Sequence, residues 1–353
     1  MSRRPVGYYV HHQGAGHWQR ACLIARALNR PMTLIGTLSD LDTRAAPGSI
    51  LALPDDRVGA GFDGQDGSAE RPQGLHYAPL GADNVRARMG RLAAWIVEAD
   101  PALIVVDVSV EIALFARLMS VPTLVVRLAG TRTDLPHLEA FRSAERLLAF
   151  FPPEIDSAAT PTWVRAKTSY AGLLTADVVA DTSPETDGSI LVIYGRGGAG
   201  GRMSDLAAAA ISVPDRHWHV LGPVDASGIV APDNLHVHGW VADPAPHIAR
   251  AELVIGGGGD GVVSAVAAAG KRFVCLPEPR AFDEQVEKSR ALAAMGAAIH
   301  HESWPEPGAW PGIIAAALRL DPAVIGGLAK PGVIARTSAL IAEEADRAEA
   351  RRR

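Results

Sequence analysis

Cysteine and lysine are scarce in this 353-residue chain. Cys22 and Cys275 stand far apart, each inside an apolar stretch, and neither lies at a metal-ligand spacing. A metal site built on cysteines is excluded, and two buried free thiols in a reducing cytoplasm are expected. Lysine occurs only at Lys167, Lys271, Lys288 and Lys330, and aromatics make up 5% of the chain. The net charge is −5, and no basic stripe with interleaved aromatics occurs, so nucleic acid is not an expected partner. No window reaches the ~18 consecutive apolar residues of a membrane span. The first ten residues carry two arginines but no apolar run of signal-peptide length. A soluble, cytoplasmic protein is the expectation, with a peripheral membrane contact left open.

Apolar residues make up 48% of the chain and charged residues 21%, the balance of a globular protein. Single cores seldom grow past about 250–300 residues, so the length points to two domains. Short apolar runs alternate with helical patterns. Residues 6–10 (VGYYV), 32–35, 50–53, 102–106 and 123–127 read as strands, and residues 18–28, 85–99 and 111–119 as helices. Residues 55–74, rich in Gly and Asp and without periodicity, read as a loop. A second series starts near Ser189, with strands at 190–194, 217–221, 235–238, 253–255 and 273–276. Helices are expected at 203–210, 245–250, 262–269, 284–295 and 333–351. Residues 1–175 and 189–353 are therefore expected to form two doubly wound α/β domains joined by a linker at 176–188. Strands this apolar belong in parallel sheets covered on both faces. Ligands of such sheets bind beyond the carboxyl ends of the strands, which places a site in the cleft between the domains.

The strongest motif is LVIGGGGDGVVSAVAAAG, residues 253–270, where a buried strand turns through glycines directly into a helix. Bare glycines let a phosphate approach the backbone, and the helix start offers unpaired N–H groups with a partial positive charge. No Lys-Ser/Thr pair follows, so this is not the nucleotide-triphosphate loop. A second glycine turn, Gly14-Ala15-Gly16-His17, follows the first strand. A third glycine is missing at Gln19, which disfavours a dinucleotide site. His17 at the cleft mouth suits a general base or, alternatively, a capping role. Asp107 ends the strand ALIVVD; it can orient the His17 ring, cap the next helix, or do both. Residues 277–285 (PEPRAFDEQ) fall in the same cleft. Their Asp283, Glu284 and Gln285 can bond sugar hydroxyls and Arg280 can meet phosphate, or the acids can simply start a helix. Asp40-Leu41-Asp42 matches a short metal-binding pattern but sits away from the glycine turn. His217, His219, His236 and His238 alternate along strands without a cysteine, so no metal is expected there.

Taken together, the motifs resemble the GT-B glycosyltransferases, in particular the MurG-like class bordering on antibiotic and UDP-glucuronosyl-type transferases. Gly14-Ala15-Gly16-His17 is similar to that family's first glycine loop. LVIYGRGGAGG from Leu191 is similar to the loop opening its second domain. HVHGWVADPAP from His236 and the stretch from Leu253 to Gln285 follow its donor-binding signature in order and spacing. The resemblance implies a GT-B fold, two Rossmann-like domains facing across a cleft. It implies inverting, metal-independent transfer from a UDP- or TDP-sugar co-substrate to a hydroxyl acceptor, with no other cofactor. It puts His17 and Asp107 at the catalytic positions and Gly14, Gly16, Arg127 and Arg132 on the acceptor side. Donor contacts are implied for Gly195, Arg196, Gly197, Trp240, Val241, Gly257, Gly258, Gly259, Asp260, Gly261, Arg280, Asp283, Glu284 and Gln285. Three positions depart from the family pattern. Ala265 replaces a ribose-binding glutamate, Val262 a hydroxyl residue and Gly257 a phosphate-contacting histidine. The backbone, or Asp260 and Ser264, would then hold the donor. A nucleotide-sugar epimerase or hydrolase of the same fold, and a non-catalytic sugar-nucleotide-binding partner of a transferase, are the alternatives.

Overall fold

The computed structural model describes residues 3–11, 15–39, 41–57, 69–174, 186–195 and 198–352. The first sheet is built from β1 (Val6–Tyr9), β2 (Met32–Gly36), β3 (Ser49–Ala52), β4 (Leu103–Asp107), β5 (Thr123–Arg127), β6 (Arg146–Ala149) and β7 (Thr168–Tyr170). All seven pair in parallel, in the order β3-β2-β1-β4-β5-β6-β7. Helices α1 (Ala15–Ala27), α2 (Asp83–Ala99), α3 (Val110–Leu118), α4 (Leu135–Ser143) and α5 (Thr162–Lys167) connect them. The central strands β4 (LIVVD) and β5 (TLVVR) are buried along their whole length, as apolar strands covered on both faces must be. Each such Val, Leu or Ile contributes about 1.5–3 kcal/mol relative to an exposed one.

The second sheet repeats the plan. It is formed by β8 (Ile190–Ile193), β10 (Trp218–Leu221), β12 (Leu235–Gly239), β13 (Leu253–Gly256), β14 (Arg272–Cys275) and β15 (Ile299–His300), in the order β12-β10-β8-β13-β14-β15. A small side ribbon pairs β9 (Gly201–Arg202) with β11 (Val224–Asp225). Helices α6 (Met203–Ser212), α7 (Ala245–Arg250), α8 (Asp260–Ala268), α9 (Glu284–Ala294), α10 (Trp310–Ala317) and α11 (Pro322–Gly326) accompany this sheet. Helix α12 (Val333–Ala350) returns to the first sheet. Its Val333, Ile341 and Ala345 join the core formed by Ile24 and Ala25 of α1 with β1 and β2.

In each sheet the order reverses beside the first strand, between β1 and β4 and between β8 and β13. Loops leaving neighbouring strands there diverge to opposite faces and open a crevice at the carboxyl edge. The carboxyl ends of β1, β4, β8 and β13 all lie at these two switch points. Apolar packing also continues between the halves: Ala129, Phe151, Ile155 and Leu173 share a cluster with Leu191, Val254, Val263 and Leu292. Cys22 and Cys275 are both free and buried. No helix among the described residues is long and apolar enough to cross a membrane.

Candidate functional site

Asp107 closes β4 with its side chain wholly buried. The next residue, Val108, has φ 64°, a costly left-handed conformation for a β-branched side chain. That kink turns the chain so that Ser109, not Asp107, caps α3, its hydroxyl accepting from the Ile112 N–H at 3.3 Å. Asp107 is thereby left for His17, whose Nδ1 lies 3.0 Å from Oδ1. The Tyr8 hydroxyl donates to Oδ2 at 3.2 Å.

Arg20 completes the cluster. It sits one turn after His17 on α1, on the same face, and is 4% exposed. Its Nε donates to Asp107 Oδ2 at 3.1 Å and its Nη2 to Oδ1 at 2.7 Å, a side-on fork. Its plane lies 4.7 Å from the centre of the Phe150 ring. Burial by itself would raise the Asp107 pKa; the Arg20 and His17 charges outweigh it and hold the carboxyl well below the usual carboxylate range. Nη2 also lies 2.8 Å from His17 Nδ1. One ring nitrogen cannot accept from Arg20 and donate to Asp107 at once, so these two contacts are alternatives.

The facing wall is the turn between β13 and α8. Gly259 is the N-cap of α8 and makes no side-chain capping bond. The first helical N–H groups therefore depend on other partners. Gly258 has to be glycine, because a Cβ there would stand 2.8 Å from the Gln285 carbonyl oxygen. A Cβ on Gly261 would meet nothing within 4 Å. Asp260 opens α8 and pairs with Lys288, whose side chain is fully buried. Arg20 Nη1 lies 3.8 Å from Asp260 Oδ2. Burial raises the Asp260 pKa, but Lys288 and then Arg20 draw it below the ordinary value. Burial likewise opposes the charge on Lys288, whereas Asp260 and Glu284 raise its pKa.

Glu284 lies 3.9 Å from Lys288 Nζ and 3.6 Å from Arg132 Nη2. Arg132 also covers the Phe282 ring at 4.7 Å. Phe282 and Asp283 both carry positive φ, 61° and 52°, two strained residues in succession before α9. His17, Asp107, Asp260, Glu284 and Arg132 are thus linked through Arg20 and Lys288.

Other expected site residues lie differently. Gln285 is expected at the sugar hydroxyls; its side chain is 6% exposed beneath the glycine turn, and its Oε1 accepts from the Glu278 N–H at 3.0 Å. Arg280 forms an ion pair with Glu278. Arg127 is expected on the acceptor side, yet it is 2% exposed and locked on Asp156 at 2.9 and 2.6 Å, with Tyr170 beside it. Asp283 is exposed at the start of α9. Trp240 is exposed after β12, and Val241 packs on the second core. Gly16 lies on α1 with open space around it, and a Cβ on Gly195 would also meet nothing within 4 Å. Gly14, Arg196 and Gly197 lie outside the described residues, as do Asp40 and residues 58–68 of the 55–74 loop. Asp42 is exposed and paired with Arg44. The four alternating histidines form a stacked file with His247 on the edge of the second sheet. His219 Nδ1 and His238 Nε2 lie 3.0 Å apart within it.

No protein-family profile matches the chain, and no curated protein matches it in sequence. Solved structures do. The glycotransferase of kitacinnamycin superposes with a TM-score of 0.73 at 14% identity, covering 98% of this chain and 99% of that one. Acinetobacter baumannii MurG gives 0.69 at 17% identity over 96% and 99%. Arabidopsis thaliana UGT89C1, complexed with UDP, gives 0.68 at 16% identity over 97% and 100%. The fold is that of the GT-B glycosyltransferases.

Proposed function

We propose that this protein is a glycosyltransferase. It moves a sugar from a UDP- or TDP-sugar to an acceptor hydroxyl, with inversion and without a metal ion. The observation that carries the reading is the His17–Asp107 pair facing the glycine turn at Asp260, with Arg20 between them. Residues 1–175 would take the acceptor and residues 189–353 the donor.

In the working tautomer His17 Nδ1–H donates to Asp107, which frees Nε2 to remove the acceptor's hydroxyl proton. The acceptor oxygen then bonds to the anomeric carbon from the face opposite the departing oxygen, and the bond to the diphosphate breaks. The electron pair leaves on the diphosphate, where the open N-terminus of α8 stabilises it. The fixed cations Arg20 and Lys288 at this turn support metal independence. Glu284, partly exposed beside Lys288, would bind a sugar hydroxyl. The UDP in the similar UGT89C1 structure supports a nucleoside diphosphate as the donor's leaving part.

The test is to screen UDP- and TDP-sugars for transfer with EDTA present, and to assign product anomers by NMR. Calorimetry against UDP and TDP accompanies it. A protein that binds neither nucleotide and turns over no sugar donor would falsify the reading. Release of free sugar or an epimer, with no acceptor product, would favour the hydrolase or epimerase alternative.

A further inference from the structure

Arg20 presents more donors than Asp107 can use. Asp107 takes the side-on edge of the guanidinium, Nε and Nη2. The end-on edge, Nη1 and Nη2, is turned toward the space between His17 and Asp260. There Nη2 stands 2.8 Å from His17 Nδ1, and Nη1 stops 3.8 Å short of Asp260 Oδ2, beyond hydrogen-bond length. Asp260 does not need that charge, because the buried Lys288 already pairs with it. A planar, 96%-buried cation therefore directs an edge at the helix start where the proposed function puts the diphosphate. That edge has the geometry for two phosphate oxygens.

We infer that Arg20, a residue of the first half, crosses the cleft and binds the donor's diphosphate through Nη1 and Nη2 while keeping its hold on Asp107 through Nε. Two features of this arrangement favour this. A diphosphate arriving beside Asp260 meets a carboxylate, and a second cation is needed to offset that repulsion once Lys288 is committed. In the tautomer that makes His17 a base, Nδ1–H and Arg20 Nη2 are two donors facing each other at 2.8 Å. A phosphate oxygen that takes Nη2 removes the conflict and leaves Nδ1–H to Asp107. Arg20 would then tie the charge leaving with the diphosphate to the pair that receives the acceptor's proton.

The inference rests on the proposed donor class, and a ligand-truncation test separates the two. Calorimetry would compare UDP with uridine, and TDP with thymidine, on wild type, Arg20→Lys and the double variant Arg20→Gln/Asp107→Asn. The double variant removes both charges of the buried pair together, so neither is left unpaired. Thermal unfolding confirms that each variant is folded. Nucleoside diphosphate affinity should fall about tenfold to a hundredfold in the double variant and by less in Arg20→Lys. Affinity for the bare nucleosides should stay within about twofold, since the contact is with phosphate alone. Equal losses for nucleoside and diphosphate, or undiminished diphosphate binding, would overturn the role of Arg20 and leave the proposed function standing. Wild type that binds neither diphosphate would overturn both.

Discussion

The backbone N–H of Thr131 donates to the carbonyl of Phe282 over 2.8 Å, joining the loop after β5 to the loop before α9. Gly130, with φ 94°, makes this approach possible, because a Cβ there would collide with the same Phe282 oxygen. Gly130→Ala should push residues 281–283 away and shift Glu284 with them. Strain of about 1–3 kcal/mol at such positions translates into a fall in kcat/KM for transfer of about tenfold or more. Steady-state kinetics with far-UV circular dichroism as the folding control checks it; full activity in a folded variant would dismiss the contact as incidental.

Replacing His17 by Ala should lower kcat by about a hundredfold to ten-thousandfold while leaving donor affinity near wild type, as expected when a general base is lost. Asp107→Asn should do similar damage to kcat and also reduce stability, because Arg20 is left as a buried, unpaired charge. Transfer rates set beside nucleotide titrations separate the two effects.

At the glycine turn, Gly258→Ala places a methyl 2.8 Å from the Gln285 carbonyl and should weaken UDP or TDP binding about tenfold or more. Gly312→Ala, in α10, meets open space and is the control, with binding within about twofold. If both substitutions bind alike, the turn's shape does not govern the diphosphate.

Arg127 and Asp156 form a buried ion pair at the carboxyl end of β5. Asp156→Asn should cost about 3–5 kcal/mol of stability, because Arg127 is left charged and buried. Donor KM should not change in the folded variant. A raised acceptor or donor KM with unchanged stability would return Arg127 to a binding role.

His137 provides the pH test. Burial, together with the Arg132 charge and the nearby His76, lowers its pKa from the ordinary histidine value despite the opposing pull of Asp134. The unfolded chain therefore takes up the proton at a higher pH than the folded one. Stability is kept above the unfolded value of about 6.5 and declines as pH falls below it. Urea unfolding between pH 7 and 5 should show this slope in wild type and a shallower one in His137→Gln. Parallel slopes would assign the decline to other groups.

The strand pattern was legible because each central strand is a short apolar run buried on both sides, as in LIVVD and TLVVR. Residues 135–170 were not, for three local reasons. Pro136 stands inside α4, although Asp134 caps that helix through the His137 N–H. Arg146 opens β6, and β7 is only TSY, an edge strand with no apolar run. In the site, His17, Asp107 and the glycine turn announced themselves by ending strands or starting helices at a switch point. Arg20 and Lys288 did not, since their partners come from remote segments. The available signal was spacing: Arg20 follows His17 by three on α1, and Lys288 follows Glu284 by four on α9. Arg127 shows the converse, because a charge at a strand end finds a buried neighbour as readily as a ligand.

Helix α12 carries a mechanical consequence. The Arg4 N–H donates to Glu349, Arg30 holds Asp346, and Arg352 holds Asp100, so both ends of the described chain are stitched to the first sheet. A pulling force applied between Arg4 and Arg352 would load that sheet first and leave the second slack. For the same reason, the stretch between β7 and α12 is inserted in the chain as a cassette. The second sheet could therefore be exchanged at two splice points with the Arg4, Arg30 and Arg352 contacts of the first sheet kept.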